Sequence, residues 1–569
     1  MKSMLFLAAL AGAAMLPGLP ARAQFSRAAP PGPSCSRKSS EDPREDPAGS
    51  CAADRLTAEG KTVREVHVVT RNIFNTDQPD ENKRLFRWAD KLHAVTRPEV
   101  IERQVLLKPG DQFSEREAAE SERILRQNRY LYDAEIHPVD TGDGRVDLEV
   151  LTRDVWTLQG GVSFHRSGGA NSTRFEIEDV NFLGTGKGIS LSHDSSVDRT
   201  SNLFSYSDPS LFGSHSRLQL DYADNSDGSL ESLTLERPFY SLDTRWALGF
   251  QGSFEDRIDP LYDRGHVSDR FQHQEDLVGV YAGLSPGLSD RHTQRWLVGF
   301  TLDRDRFADA PGFETSAPLP EDRTLAYPWI RYDYLQDGYF TSRDMDRIQR
   351  TEDVNTGRQF HLRLGYSSTA WGGTLDRLIL DSSASLGWKP TPRQLVLASV
   401  EGGSRLGGHG AENLLVGGSV RYYVRDFGDN LLYLGASADV AHDLDRERQL
   451  LLGGDNGLRG YPLRYLQGDR RFLLTIEQRF FSDRELFHLL HLGAAVFFDA
   501  GSAWFDDGDG KLGGTAAQRE LLRDIGIGLR FGSSRSARGS LVHLDLAFPL
   551  DGDRSLKSLQ WLVSTSDTF

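Results

Sequence analysis

The chain has 569 residues and a formal net charge of −16, from 66 Lys and Arg against 82 Asp and Glu. That acidic excess argues against a nucleic acid as partner, because its phosphates would be repelled. Two cysteines are too few for a disulfide scaffold or a cysteine-built metal centre. The mean hydropathy of −0.46 is that of a soluble protein, yet 56 glycines and 30 phenylalanines do not suit a string of ordinary soluble domains. A transmembrane β-barrel hides its apolar residues in alternation and averages to the same value.

Residues 1–23 read as a secretory signal, with Lys2 as the positive end, an apolar run from Met4 to Leu16, and Ala21-Arg22-Ala23 before the expected cut. The run is shorter than the roughly twenty apolar residues that span a bilayer, so export is expected and not anchoring. Residues 24–61, rich in Pro, Ser, Ala and charge, are expected to form a disordered tether. Cys35 and Cys51 lie in it, and an oxidising compartment would let them pair. An incidental role for both is equally open.

Residues 62–154 have the pattern of a small α/β unit. Val63 to Val69 alternates with period two, as a half-buried strand does. Asn82 to His93 places Leu85, Trp88 and Leu92 at helical spacing, and Ser114 with Glu117 forms a capping box opening a second helix. Ala134–Val139 and Val146–Leu151 are two strands joined at Asp143-Gly144, a strong hairpin cue.

From Val155 to the end, segments of about ten residues alternate apolar with polar between Gly, Asp, Asn and Ser clusters, as barrel strands do. In Arg217–Tyr222, for example, Leu218, Leu220 and Tyr222 would face lipid while Arg217, Gln219 and Asp221 face the lumen. Eight of the nine tryptophans follow residue 154, mostly near strand ends, where interfacial girdles are expected. About twenty candidate strands can be counted, with surplus segments at Gln272–Asp305 and Gln394–Arg425.

Between the strands Asn430–Ala441 and Arg471–Phe481 runs a loop of about thirty residues, far longer than a hairpin needs. It contains Gly453, Gly454 and the sequence Leu458-Arg459-Gly460-Tyr461. Arg459 has a planar five-donor fork that cannot deprotonate. Folded inward it would require carboxylates, and the next two strands offer Glu477 and Asp499.

The GG-x3-LRGY loop, the strand Ile476-Glu477-Gln478-Arg479-Phe480 and the strand Phe497-Phe498-Asp499-Ala500-Gly501, in that order, resemble the BamA/TamA family of outer-membrane assembly factors and the related two-partner secretion transporters. The α/β unit resembles the polypeptide-transport-associated (POTRA) domain of the same family. Asn181–Gly188 looks like the turn after the second barrel strand, and Arg237–Tyr240 and Asp337–Phe340 look like later periplasmic turns. Trp561, Val563 and the terminal Phe569 resemble the signal by which the barrel assembly machinery recognises its clients.

The resemblance implies an all-β transmembrane barrel of 16 to 20 antiparallel strands over residues 155–569, preceded by one small POTRA-like periplasmic domain. It places the protein in the outer membrane, in contact with its lipid, and acting on unfolded or secreted polypeptide clients. Arg459 would sit in the lumen braced by Glu477 and Asp499, and the POTRA-like sheet edge would accept client strands by β-augmentation. A secretion pore for one dedicated client and a passive surface barrel or porin remain alternatives. No Gly-x-Ser-x-Gly elbow and no His-Glu-x-x-His pair occurs, so neither an enzyme nor a cofactor is expected. Asp506–Gly510 reads as a plain acidic loop sooner than a calcium site.

Overall fold

The structure, a computed structural model, describes residues 56–569 apart from 58, 314–317, 409, 427, 429, 507–519, 538, 540, 554–555 and 567. The expected signal, both cysteines and most of the Asp506–Gly510 loop lie outside the described residues. Leu56 and Thr57, placed in the expected tether, belong to the α/β domain. Leu56 is buried in the core of the α/β domain, and Thr57 Oγ1 accepts the Glu115 amide at 3.0 Å.

That domain runs β1 (Thr62–Arg71), α1 (Arg84–Leu92), α2 (Pro98–Glu102), α3 (Glu115–Arg126), β2 (Leu131–Asp140) and β3 (Arg145–Asp154). The sheet order is β1-β3-β2, with β1 parallel and β2 antiparallel to the central strand. Val63, Ile101, Leu107, Leu125, Leu131 and Leu148 form its core. Ser114 caps α3 by accepting the Glu117 amide at 3.4 Å, whereas the Glu117 carboxylate turns to Arg116, so half of the capping box forms. In helix α1 the residues at helical spacing do not face the core: Phe86 is its buried residue, and Leu85, Trp88 and Leu92 are 65%, 60% and 57% exposed.

Residues 158–566 close into an antiparallel barrel of twenty principal strands. Fifteen precede the long loop and five follow it. The surplus segments are wall strands, His266–Leu284 with His292–Asp309 and Gln394–Gly407 with Gly410–Arg425, so the barrel is enlarged and carries no projecting hairpins there. In the nineteenth strand, Leu541–Pro549, the exposed residues are Val542, Leu544, Leu546 and Phe548, and the buried ones include His543 and Asp545. The eighteenth, Leu522–Ser533, exposes Ile525, Ile527 and Leu529 and buries Asp524 and Arg530. This is the inverse of a water-soluble fold, and a closed sheet with an apolar outside and a polar inside is the β-solution to crossing a bilayer. The fifth strand agrees: Gln219 and Asp221 join Ser205 and Ser232 in an inward hydrogen-bonded group, while Tyr222 is exposed.

The α/β domain is fastened across one mouth of this barrel. Arg97 N donates to Gly184 O at 3.0 Å and Asn181 Nδ2 to Thr96 Oγ1 at 2.7 Å, at the turn between strands two and three. Leu242 N, between strands six and seven, donates to Glu120 at 2.7 Å. On the other side Arg535, between strands eighteen and nineteen, donates to Ile73 O at 2.9 Å and to Glu81 at 2.6 Å, and Trp156 N donates to Arg535 O at 2.6 Å. Replacing Arg535 by Ala leaves Glu81 buried without its cation, a change worth about 3–5 kcal/mol. Limited proteolysis should then cut the 154–158 connection faster in Arg535→Ala than in wild type, while heat-modifiable migration of the barrel on gels is retained.

Candidate functional site

The long loop, residues 443–469, leaves the end of the fifteenth strand and folds back into the lumen. It is shaped by a short pairing of Leu450–Leu452 with Leu466–Gly468. Leu452, Leu458, Tyr461 and Tyr465 pack on Ala503 and Leu522 of the wall, so the loop has its own apolar footing. Gly457 has φ of 131°, and a Cβ there would meet the Leu473 side chain at 2.1 Å. Gly460 presses on Asp524, where a Cβ would lie 2.7 Å from the Asp524 Cβ, and this closeness lets its amide donate to Asp524 Oδ2 at 3.1 Å. The Tyr461 hydroxyl donates to Arg523 O at 2.7 Å and accepts the Arg523 amide at 3.2 Å.

These contacts present Arg459 to the wall. Its Nε donates to Asp499 Oδ2 at 2.7 Å, Nη2 to Asp499 Oδ1 at 3.1 Å, and Nη1 to Glu477 Oε2 at 3.0 Å, so the structure brings together the three residues singled out in the sequence. The guanidinium carbon lies 3.4 Å from the centroid of the Phe497 ring. Gly526 makes room for that ring, since a Cβ there would fall 2.2 Å from it. Burial alone would lower the guanidinium's proton affinity, but the Asp499 and Glu477 charges more than reverse this and hold it cationic.

Four further charged residues belong to the site. Arg479 Nε donates to Glu477 Oε1 at 2.9 Å and its Nη1 to Asp346 Oδ1 at 3.0 Å. Arg530 pairs with Asp545 and approaches Glu477 at 3.7 Å, and Asp545 lies 3.9 Å from Arg459. Sequence reading passed over them, although Arg479, Arg530 and Asp545 lie on the buried, inward parity of strands whose other face is apolar. Charged residues on the parity opposite an apolar face are the signal that finds them.

Asp346 introduces an element the sequence did not reveal. The Asp337–Phe340 segment is not a tight turn. It starts an insertion, residues 337–358, with its own hairpin of Tyr339–Arg343 and Thr351–Asn355. Met345 packs on Leu395, Tyr423 and Leu431, and Ile348 on Ala495, Leu541 and Phe569, so the insertion runs along the inner wall at the mouth that carries the α/β domain. It also holds that domain, through Arg126 to Asp353 at 2.9 and 2.6 Å, Tyr132 OH to Gln349 O at 2.6 Å, and Thr351 Oγ1 to Asp133 at 2.8 Å.

Phe569 also sits differently from the expected closing residue of the last strand. That strand ends at Ser566, and Phe569 turns inward, where it is buried against Phe481 and Ile348 and its amide donates to Asp346 O at 2.7 Å. Trp561 faces outward at 45% exposure. Val563 lies at the closure of the barrel, where the last strand meets the first, Leu158–Ser167, in a single ladder pair among the described residues, Val563 opposite Arg166. The nineteenth and twentieth strands share seven such pairs. Side chains supplement the seam, with Phe164 stacked on Trp561 at 6.2 Å and the Arg166 guanidinium 4.5 Å from the Trp561 ring. The lumen loop reaches it as well: Ser167 Oγ donates to Gly454 O, and a Cβ on Gly168 would fall 2.2 Å from Leu463 N.

In the α/β domain, the free edge of β2 is capped by its own neighbours. Ile136 N donates to Glu122 at 2.7 Å, Ala134 N to Asp133 at 2.9 Å, and Arg126 donates to Ala134 O at 3.0 Å, while position 138 is a proline. Such capping suppresses strand addition. The opposite edge strand, β1, is paired at its start, where Val63 N donates to Asp111 O and Val63 O accepts the Gly110 amide, both at 2.9 Å, and beyond that start it has no strand beside it among the described residues.

Fold and site together define a large closed transmembrane barrel with a lumen-folded loop, an inner-wall insertion and an α/β domain at one mouth. Neither a protein-family model nor a curated protein matches the sequence. Among solved structures it resembles BamA from Haemophilus ducreyi lacking POTRA domains 1–3, at 13% identity and a TM-score of 0.38 over 90% of this chain and 85% of that one. It also resembles CdiB from Escherichia coli, at 12% identity and 0.43 over 90% and 77%, and CdiB from Acinetobacter baumannii, at 12% and 0.40 over 89% and 74%.

Arg459→Ala leaves Glu477 and Asp499 buried without a shared cation and should cost about 3–5 kcal/mol, read as a lower thermal midpoint in detergent. Arg459→Lys should recover little of it, because an ammonium can neither fork onto Asp499 nor stack on Phe497 in the same way. A lysine variant matching wild type would remove the bidentate account.

Glu352 of the insertion generates a pH prediction. Burial and the neighbouring Asp346 charge push its carboxyl up to about 7, although the Met345 and Asp346 amides donate to it. A carboxyl raised in the folded state favours folding when protonated, so its contribution falls as pH rises from the ordinary 4.5 to about 7 and is constant above. The difference in thermal midpoint between wild type and Glu352→Gln, followed from pH 4.5 to 8, should show that fall, because the amide variant does not titrate.

Proposed function

We propose that this protein is an outer-membrane barrel of the BamA/TamA type, with its α/β domain as a POTRA-like module in the periplasm, and that it inserts or translocates other polypeptides. The observation that carries this reading is the seam. A wall laddered elsewhere is closed at one place by a single ladder pair among the described residues, and a lumen loop anchored through Arg459 is docked beside it. Unpaired backbone groups on the first and last strands are a template for an incoming strand, which is a hazard elsewhere and here the working surface. On this reading the Arg459 loop braces strands sixteen to nineteen while strand one remains able to part from strand twenty. Clients meet the α/β domain at the outer edge of β1 past Val63, because β2 is capped and the start of β1 is already paired to residues 110–113. Trp561, Val563 and Phe569 serve the protein's own recognition by the barrel assembly machinery.

The secretion-pore reading requires a lumen through which a chain can pass, and the insertion at residues 337–358 would have to leave the inner wall first. The porin reading requires an open lumen at rest, which the loop and the insertion together oppose.

The test is a disulfide across the seam, Arg166→Cys with Val563→Cys, in a background with Cys35→Ser and Cys51→Ser. Oxidation should abolish insertion of a barrel client into proteoliposomes, and reduction should restore it. A control bridge at Leu191→Cys with Phe204→Cys, opposite residues in a fully laddered pair of strands, should have no effect. Equal activity with the seam locked would reject seam-templated insertion.

A further inference from the structure

Helix α1 carries three surfaces that follow from its sequence, Arg84-Leu85-Phe86-Arg87-Trp88-Ala89-Asp90-Lys91-Leu92. Phe86 and Ala89 face the protein, with Phe86 stacked on Phe74 at 4.1 Å, and Asp90 accepts the Phe74 amide at 3.3 Å. Leu85, Trp88 and Leu92, at i, i+3 and i+7, make an apolar stripe more than half exposed. Arg84, Arg87 and Lys91 are exposed along the side of the helix away from the protein, and Lys83 precedes its first turn. A helix with tryptophan and leucine on one exposed face and lysine and arginine beside it is built to lie in the plane of a membrane surface.

Its position agrees. Phe86 meets the His488 ring edge-on at 6.5 Å, at the turn between strands sixteen and seventeen, and Val95, just beyond the helix, abuts Gly184 at the turn between strands two and three. The helix therefore lies by the rim between turns on either side of the seam. Both turns expose large apolar side chains, Phe487 at 79% on one side and Phe182 and Leu183 at 44% and 59% on the other. The helix that carries the stripe thus reaches, through Phe86 and through Val95 just beyond it, both of these parts of the barrel's rim.

We propose that α1 is a membrane-surface anchor, which seats Leu85, Trp88 and Leu92 in the leaflet bordering the α/β-domain mouth and sets Arg84, Arg87 and Lys91 against anionic glycerophospholipid headgroups beneath the seam. Trp88 has the ring that partitions best to that depth, and each basic residue near an anionic surface adds to the attraction.

The test uses the full chain with Cys35→Ser and Cys51→Ser, in bilayer discs of phosphatidylethanolamine and phosphatidylglycerol. A nitroxide is placed in turn at Leu85→Cys, Trp88→Cys, Leu92→Cys and, as a solvent reference, His67→Cys. All four sites are exposed, so labelling does not threaten the fold. The ratio of collisions with oxygen to collisions with a nickel chelate should be severalfold higher at 85, 88 and 92 than at 67. It should drop toward the reference when Arg84→Glu and Lys91→Glu are added. Ratios at the stripe equal to that at 67 would overturn the proposal. So would ratios that rise only after an unfolded polypeptide is added, since the stripe would then be a client groove. A ratio unchanged in pure phosphatidylcholine and in the doubly reversed variant would overturn the role given to the basic residues.

Discussion

A guanidinium enclosed by a barrel wall cannot be left to itself, because removing it from water costs several kcal/mol that only close, well-directed acids recover. Arg459 meets that demand with two bonds to Asp499, one to Glu477 and the face of Phe497. Meeting it constrains a large part of the molecule. The loop backbone has to approach Asp524 closely enough for Gly460 to donate to it, which only a residue without a Cβ permits. Strand eighteen has to place Gly526 opposite Phe497, or the ring under the guanidinium would have no room. Glu477 is shared with Arg479, and Arg479 reaches Asp346, so the site continues from the loop tip to the insertion at the far mouth.

That continuity suggests why the insertion takes its path along the inner wall. Its Asp346 completes the hydrogen bonding of Arg479, and it covers Phe569, whose ring would otherwise face an aqueous lumen. On its outer side it uses Asp353 and Thr351 to hold α3 and β2 of the α/β domain. The domain is thus connected to Arg459 through Asp133, Thr351, Asp346, Arg479 and Glu477, a chain of polar contacts and one short length of backbone. Whether movement passes along such a chain depends on a two-state element at one end, and the sparsely laddered seam supplies one on the proposed reading.

Much of this was legible in the residues. The enlarged barrel followed from counting alternating segments, since period-two patterning with apolar residues on one parity is fixed by strand geometry. Arg459, Glu477 and Asp499 were legible because an arginine at the tip of an overlong glycine-containing loop requires acids if the loop folds inward, and the family resemblance pointed to two on the next strands. The insertion was not, because Asp337-Gly338 reads as an ordinary turn and its two five-residue strands pair only with each other. The inward turn of Phe569 was not legible, because a terminal aromatic in an alternating stretch has the right parity for lipid, and it is Ile348 and Phe481 that show the turn. The orientation of Leu85, Trp88 and Leu92 was not legible for a related reason. Helical spacing identifies an apolar face, but a face destined for protein and one destined for lipid have the same period.

The arrangement at the rim places the α/β domain in opposition to opening of the seam. Its contacts with the turn between strands two and three lie on one side of strands twenty and one, and its contacts through Arg535 and His488 lie on the other. Parting strand one from strand twenty moves Gly184 away from Arg535. The domain must then release one set of contacts or bend between β1 and α2. The buried Arg535–Glu81 pair and the bond from Arg97 to Gly184 would resist release, whereas the ladder between the two strands offers one pair among the described residues. The stability of the closed barrel at its thinnest point therefore resides less in the sheet than in what is fastened beneath it.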